Sequence, residues 1–175
     1  MTQQARAVLS ACDQALKELE ANPPQELWKL RWFTTVALLR CVGHTLKKVD
    51  RSSGDAAMKT AIDAAWSRWN ADRSDNEIFW CFIEEERNRA LKEFTFHASQ
   101  GVVIELATGR LMRDREGQLT QEDPNKEGRA WHTNTISKGP FAGQDQRVVV
   151  RQSIRWWREQ LDRVDREASA TDVTR

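Results

Sequence analysis

The hydrophobic positions of this chain recur with the period of an α-helix over most of its length. From Thr2 to about Ala21 they are spaced four and three residues apart, along one stripe formed by Ala5, Leu9, Cys12, Leu16 and Leu19. Such a stripe is typical of an amphipathic helix that buries one side against a core. Pro23 and Pro24 follow, and prolines at this place end one helix and suit the first turn of the next. The sequence therefore predicts a first helix over residues 2–21.

Four further helices are predicted from the same pattern, over approximately residues 24–49, 55–72, 76–94 and 144–168. The second is apolar over much of its girth, which favours a central place in a bundle. A polar turn at residues 51–54 separates it from the third. The stripes of the second, third and last helices are formed by Trp28, Trp32, Leu39, Val42, Leu46 and Val49, by Met58, Ile62, Trp66 and Trp69, and by Val150, Ile154, Trp157, Leu161 and Val164.

Residues 100–143 break the helical pattern. The stretch 101–109 is rich in β-branched side chains and ends in a Thr-Gly turn, and 110–117 could return as the second strand of a β-hairpin. The polar remainder is predicted to be a long loop. Residues 169–175 are small and polar, and we expect them to fray. The sum is an all-α fold over residues 1–175: one domain, a bundle of four to five helices with a β-hairpin or loop insertion before the last helix.

The composition limits the classes of protein to which this chain could belong. The 27 Lys and Arg residues nearly balance the 26 Asp and Glu residues, which argues against a globally basic nucleic-acid binder but leaves a local basic face open. Without a run of 18 apolar residues or a charged start before an apolar stretch, we expect no transmembrane helix, no signal peptide and a cytoplasmic protein. Cys12, Cys41 and Cys81 lie too far apart for a zinc motif or a disulfide framework.

The usual enzyme signatures are absent from the sequence. There is no Walker loop, no glycine-rich dinucleotide turn and no nucleophile elbow, which excludes most common enzyme classes by their motifs. The run Glu84, Glu85 and Glu86 points in three directions around a helix, so these side chains cannot share one ion and are interpreted as a solvated face. We expect neither a metal nor a cofactor.

The fourth helix carries a basic residue at an apolar position. Its stripe, with steps of three and four, is formed by Trp80, Ile83, Arg87, Leu91 and Phe94, and Asn88 lies at its edge. A guanidinium in a core needs a partner, because an unpaired buried charge costs several kcal/mol. Arg87 could pair with Glu84 or with another carboxylate and hold helices together. It could instead face a cleft and bind a phosphate, for which its fork of donors is suited.

The second helix carries Arg40, His44 and Lys47 along one face. These side chains could mark its solvent edge or project into a cleft. If Arg40 and His44 faced Arg87 and Asn88 across the bundle, the four would form an anion site with one group that titrates near neutral pH.

The last helix carries a row of arginines on one side: Arg147, Arg151, Arg155 and Arg158. Such a row could follow a phosphate backbone, with Arg151 and Arg155 as binding residues. It could equally be an exposed face balanced by Asp145, Glu159 and Asp162. Trp156 lies off the apolar stripe, so we expect it to be exposed and to contribute to a partner surface.

The triplet Glu86, Arg87 and Asn88 within a helical bundle resembles the HEPN superfamily, small all-α proteins common in bacterial toxin–antitoxin and defence systems. Many members are metal-independent ribonucleases, with a signature that starts with Arg, often followed by Asn, and ends with a His a few residues later. Arg87 and Asn88 match its start. Lys92 occupies one of the places where the His can stand, and His97 lies farther along. The resemblance implies a bundle that commonly dimerises with its Arg-bearing helices facing each other.

Two functions follow as hypotheses. The favoured one, because the complete motif is absent, is a non-catalytic interaction module of a bacterial or phage defence or toxin–antitoxin system. It would form a homo-oligomer or bind a protein partner, and it would not bind a membrane. The alternative is a metal-independent endoribonuclease with RNA or a nucleotide as ligand. Arg87 would then stabilise phosphate charge, Asn88 would orient it, and His44 or His97 would transfer the proton.

Overall fold

The structure, a computed structural model, describes residues 1–105, 110–113, 119–121 and 129–173. In this part of the chain five helices form a bundle, with a β-hairpin inserted before the last one, which confirms the predicted all-α fold class. Helix α1 is Gln3–Glu20, α2 spans residues 25–53, α3 is Ala56–Ala71, α4 spans residues 78–93 and α5 is Gln146–Val173. Helix α5 therefore continues past the predicted end at Ala168 into the segment that was expected to fray.

Helix α2 is longer than its sequence pattern indicates. An α-helical part, Gln25–Thr45, continues into a π-helical segment, Leu46–Asp50, and a last α-helical turn, Arg51–Ser53. The polar turn predicted at residues 51–54 is thus helical as far as Ser53. Val49 was predicted to lie on the apolar stripe and is exposed, because a π-helical turn contains an extra residue and rotates the following side chains around the axis.

The π-helical segment of α2 also fixes the start of α1. The carboxylate of Asp50, which is buried, accepts hydrogen bonds from the backbone N–H groups of Gln4 (3.0 Å) and Ala5 (2.8 Å). The first N–H groups of a helix have no partner within the helix, so an acceptor from another element satisfies them and complements the helix dipole.

Helix α4 buries a different face from the one that its sequence predicts. It begins with a π-helical segment, Ile78–Glu84, and continues as an α-helix, Glu85–Glu93. The extra residue in the π-helical part moves the buried face by about one position, or about 100° of rotation. The buried side chains are Phe79, Phe82, Ile83, Glu86 and Ala90.

Of the two positions predicted for Arg87, the one in the core is therefore wrong. Glu86 is the charged residue in the core, with 3% of its surface exposed, whereas Arg87 is only half-buried. Leu91 and Phe94, which were expected on the same apolar stripe as Arg87, are exposed.

Helix α5 lies in contact with all four other helices. Its Trp157 is fully buried and donates a hydrogen bond from Nε1 to the carbonyl of Leu39 in α2, at 2.8 Å. Trp156 packs beside it against Trp69 and Phe79, with ring centroids 5.3 and 5.4 Å away. Only 9% of Trp156 is exposed, so the expectation that it forms an exposed partner surface is wrong. The neighbouring aromatic rings of α3 and α4 bury the side of α5 on which it lies.

The insertion is built on a pair of long antiparallel strands. β1 (Ala98–Glu105) pairs with β4 (Arg129–Ile136), from Ala98 opposite Ile136 to Glu105 opposite Arg129. Between them, β2 (Arg110–Arg113) pairs with β3 (Leu119–Gln121). A hairpin is present, but the partner of β1 is β4 and not the predicted stretch 110–117. The buried side chains of Ala98 and Ile136 join this hairpin to the core of the bundle.

Candidate functional site

A groove of about 520 Å³ lies between the outer sides of α2 and α4. Three of the basic residues singled out in the sequence line it together: Arg40, His44 and Arg87. The rest of its lining is mainly apolar, and consists of Phe33, Thr34, Ala37, Leu38, Cys41 and Leu91. The groove thus combines apolar walls with three groups that can carry positive charge.

A chain of hydrogen bonds links Arg40 and Arg87 in the groove. Arg40 donates from Nε to Oε2 of Glu84. Asn88 donates from Nδ2 to Oε1 of the same carboxylate at 3.3 Å and accepts, through Oδ1, a bond of 2.8 Å from Nη1 of Arg87. The direct pair between Arg87 and Glu84, one of the alternatives for Arg87, does not form, because Asn88 lies between them. No carboxylate in the described residues forms an ion pair with Arg87, so its charge remains available to an anion.

Large apolar side chains are exposed beside the groove. Leu27 and Leu30 lie on α2, Leu91 lies on α4, and Phe94 follows the end of α4 with 71% of its surface exposed. We call the surface formed by these four residues and the groove the α2–α4 face.

The backbone holds Phe94 in an unusual conformation. Its φ of 50° and ψ of 35° lie in the left-handed region, which costs a bulky L-residue roughly 1–2 kcal/mol. Its ring lies 6.3 Å from that of Phe33 and 5.6 Å from that of Phe96, measured between centroids. An unfavourable backbone conformation is therefore maintained at a position where an aromatic ring is exposed to solvent.

His97 lies away from the groove, against a buried carboxylate. Glu86 accepts hydrogen bonds through Oε1 from the indole N–H of Trp32 (3.1 Å) and the backbone N–H of His97 (3.0 Å). The His97 imidazole has its Nδ1 3.8 Å from Oε2 of Glu86. Glu86 thus joins α2, α4 and the start of the β-hairpin. The interpretation of residues 84–86 as a solvated face is wrong for Glu86.

The other basic candidates lie outside the groove. Lys47 places its Nζ 4.8 Å from the ring centroid of Trp66 on α3. Lys92 is exposed on α4 and does not line the groove. On α5, Arg151 pairs with Glu20 and Arg158 with Asp13, both on α1.

Carboxylates neutralise most of the arginine row on α5. Arg147 forms an ion pair with Asp145. Burial acts to raise the pKa of the Asp145 carboxyl, but the hydrogen bonds and charge of Arg147 outweigh it and lower that pKa below its ordinary value. Arg155 is exposed and lines a shallow pocket at the edge of Trp156. With three of the four arginines paired, the row has the character of a solvated, charge-balanced face more than of a phosphate track.

The described residues contain no cluster of three or more His, Cys, Asp or Glu side chains arranged to hold a metal ion. None of the helices in this part of the chain is long and apolar enough to cross a membrane. Of the three thiols, Cys41 is exposed in the groove, Cys81 is half-buried and Cys12 is buried. Burial raises the pKa of the Cys12 thiol to about 12.

Comparison with known proteins returned no matching family model, no matching curated protein and no matching solved structure.

Proposed function

We propose that this chain is a HEPN-like helical-bundle module of a bacterial or phage defence or toxin–antitoxin system. It acts as a non-catalytic interaction protein, and the α2–α4 face is its binding surface. The observation that carries the proposal is the concentration of exposed apolar side chains on this face. Single exposed apolar residues are common on proteins, but a contiguous patch rimmed by charges is typical of an interaction site.

The composition of the face supports a protein partner. Interfaces that bind proteins are enriched in aromatic residues and arginine, and their centre is apolar. Phe33, Phe94, Arg40 and Arg87 supply these residue types around Leu30 and Leu91. The left-handed backbone at Phe94 adds support, since strained positions persist where the surrounding structure imposes them and often coincide with functional sites.

Cross-linking in cells tests whether the face binds protein. We expect the tagged wild type to form adducts, and the variant Leu91→Glu to lose them because a carboxylate enters the apolar face. Val148→Glu is the matched control, because Val148 is similarly exposed (40% against 47% for Leu91) but lies on α5. Adducts that persist equally in both variants would contradict the proposal.

The alternative function is a metal-independent endoribonuclease. The observation in its favour is that Arg87, without a carboxylate partner in the described residues, lines the same groove as His44. In this reaction the 2′-hydroxyl oxygen attacks the adjacent phosphorus and its proton passes to His44. Arg87 stabilises the charge on the phosphoryl oxygens. The bond to the 5′ oxygen breaks and that oxygen takes the proton from His44, which leaves a 2′,3′-cyclic phosphate and a 5′-hydroxyl end.

A metal-free RNA cleavage assay separates the two functions. The interaction module predicts no cleavage by the wild type or by Arg87→Ala. Cleavage by the wild type and none by Arg87→Ala, with both folded by circular dichroism, would instead establish the ribonuclease and place Arg87 in its site.

A further inference from the structure

Helix α2 carries a second stripe on the side opposite its buried tryptophans. The stripe advances by steps of three, four, three, four and three, and is formed by Leu27, Leu30, Thr34, Ala37, Cys41 and His44. Alternating steps of three and four define the heptad spacing of helices that pair side by side. Ala37 is half-buried, and the other five residues of the stripe are exposed. At 1.5 Å per residue the stripe is about 25 Å long, the length of a helix and not of a small ligand.

The sizes of these side chains fit a pairing of α2 with an antiparallel α2. A two-fold axis midway between Thr34 and Ala37 places Leu30 of each copy opposite Cys41 of the other. The same axis places Leu27 opposite His44, and Thr34 opposite Ala37. Each large side chain then faces a smaller or amphipathic one, which is the interdigitation that helix pairs need.

The charges along the stripe favour the same direction. Glu26 lies beside Leu27 at one end and His44 lies at the other, and both are exposed. Antiparallel helices bring Glu26 of each copy to His44 of the other, at both ends of the stripe. Parallel helices would place Glu26 against Glu26, and like charges at such positions are destabilising.

We propose that the occupant of the α2 part of this face is a second copy of the chain, paired through antiparallel α2 helices about a two-fold axis. The proposal rests on the proposed function, because it names the partner of the same surface. The groove between α2 and α4 then receives the edge of α2 from the other copy, with Leu91 and Phe94 beside it.

The molar mass in solution tests the pairing itself. Light scattering after size exclusion is expected to give a dimer for the wild type and a monomer for Leu30→Glu. Leu30 is 63% exposed, so this change leaves the monomer fold intact. Val148→Glu, also at an exposed apolar residue, is expected to remain dimeric. A monomeric wild type at micromolar concentrations, or a dimeric Leu30→Glu, would overturn the proposal.

Disulfide formation tests the direction of the helices. In a Cys81→Ser background, Leu30→Cys is expected to give a covalent dimer on mild oxidation, through a bond between residue 30 of one copy and Cys41 of the other. With native Leu30, the two Cys41 residues lie about 16 Å apart along the axis in antiparallel helices and do not cross-link. A Cys41–Cys41 disulfide in that background would show parallel helices and overturn the antiparallel arrangement.

These outcomes are distinct from a failure of the proposed function. A monomeric chain whose cellular adducts contain other proteins and disappear in Leu91→Glu would retain the interaction function and reject the second copy as occupant.

Discussion

Glu86 is a single carboxylate on which three parts of the molecule depend. It is almost fully buried and accepts hydrogen bonds from the indole N–H of Trp32 and the backbone N–H of His97. A buried carboxylate is stable only when such donors compensate for the loss of water. These two donors have no other acceptor in the described residues. Removal of Glu86 would therefore leave both N–H groups without a hydrogen bond.

The variant Glu86→Ala is expected to lower the free energy of unfolding by about 2–4 kcal/mol, because one buried and one partly buried donor lose their acceptor. Glu85→Ala, one position away on the exposed side, is expected to change it by less than about 0.5 kcal/mol. Urea unfolding followed by tryptophan fluorescence measures both. Equal stability of the two variants would show that Glu86 has no structural role.

The sequence could not distinguish Glu86 from its neighbours. Glu84, Glu85 and Glu86 have the same chemistry, and the regular helical period placed Arg87 on the apolar stripe. Which of these residues is buried depends on the π-helical segment Ile78–Glu84, whose extra residue shifts the buried face. The pairing of Glu84 with Arg40 rather than with Arg87 likewise depends on contacts between helices, which spacing within one helix does not show.

At the scale of elements, α2 and α5 approach closely at Gly43. A Cβ added to Gly43 would lie 2.7 Å from the indole ring of Trp157, well inside van der Waals contact. Trp157 is fully buried, and its hydrogen bond to the carbonyl of Leu39 restricts its movement. The glycine is therefore required by packing, although glycine is otherwise unfavourable within a helix.

The variant Gly43→Ala is expected to be destabilised by about 1–3 kcal/mol, the usual cost of excess volume in a tightly packed core. An Ala at an uncrowded helical position would instead stabilise by about 1 kcal/mol through helix propensity. The two effects have opposite signs, so a thermal or urea unfolding curve decides between them. A more stable Gly43→Ala variant would show that the indole ring yields at little cost.

The helices were the most predictable elements, because apolar periodicity and helix ends are local properties. The predicted first and third helices agree with Gln3–Glu20 and Ala56–Ala71 to within one residue at each end. The C-terminal end of α2 and the buried side of α4 were not predicted, since both helices contain π-helical turns. The partner of β1 was also missed, because strand pairing over a long separation leaves no local signal.

For the whole molecule, the sequence was sufficient to predict a helical bundle with an insertion, but not which surface of it is exposed and apolar. Trp156 appeared to be a surface residue from its place on one helix, and the other helices bury it. For the α2–α4 face the error is the opposite one, because Leu91 and Phe94 were expected in the core and are exposed. The exposure of these apolar side chains is the basis of the proposed function.

Protection of Cys41 in cells tests this account most directly, because the thiol lies within the groove. Cells are treated with N-ethylmaleimide, and the modified fraction of each cysteine is read by mass spectrometry. Cys81, which does not line the groove, is the reference. Cys12 stays unmodified, because its pKa of about 12 leaves almost no thiolate at neutral pH.

We predict that Cys41 reacts several-fold more slowly, relative to Cys81, in cells than in dilute purified protein, and that Leu30→Glu abolishes this protection. Equal relative rates in cells and in dilute solution would mean that the face is uncovered, and would contradict the account.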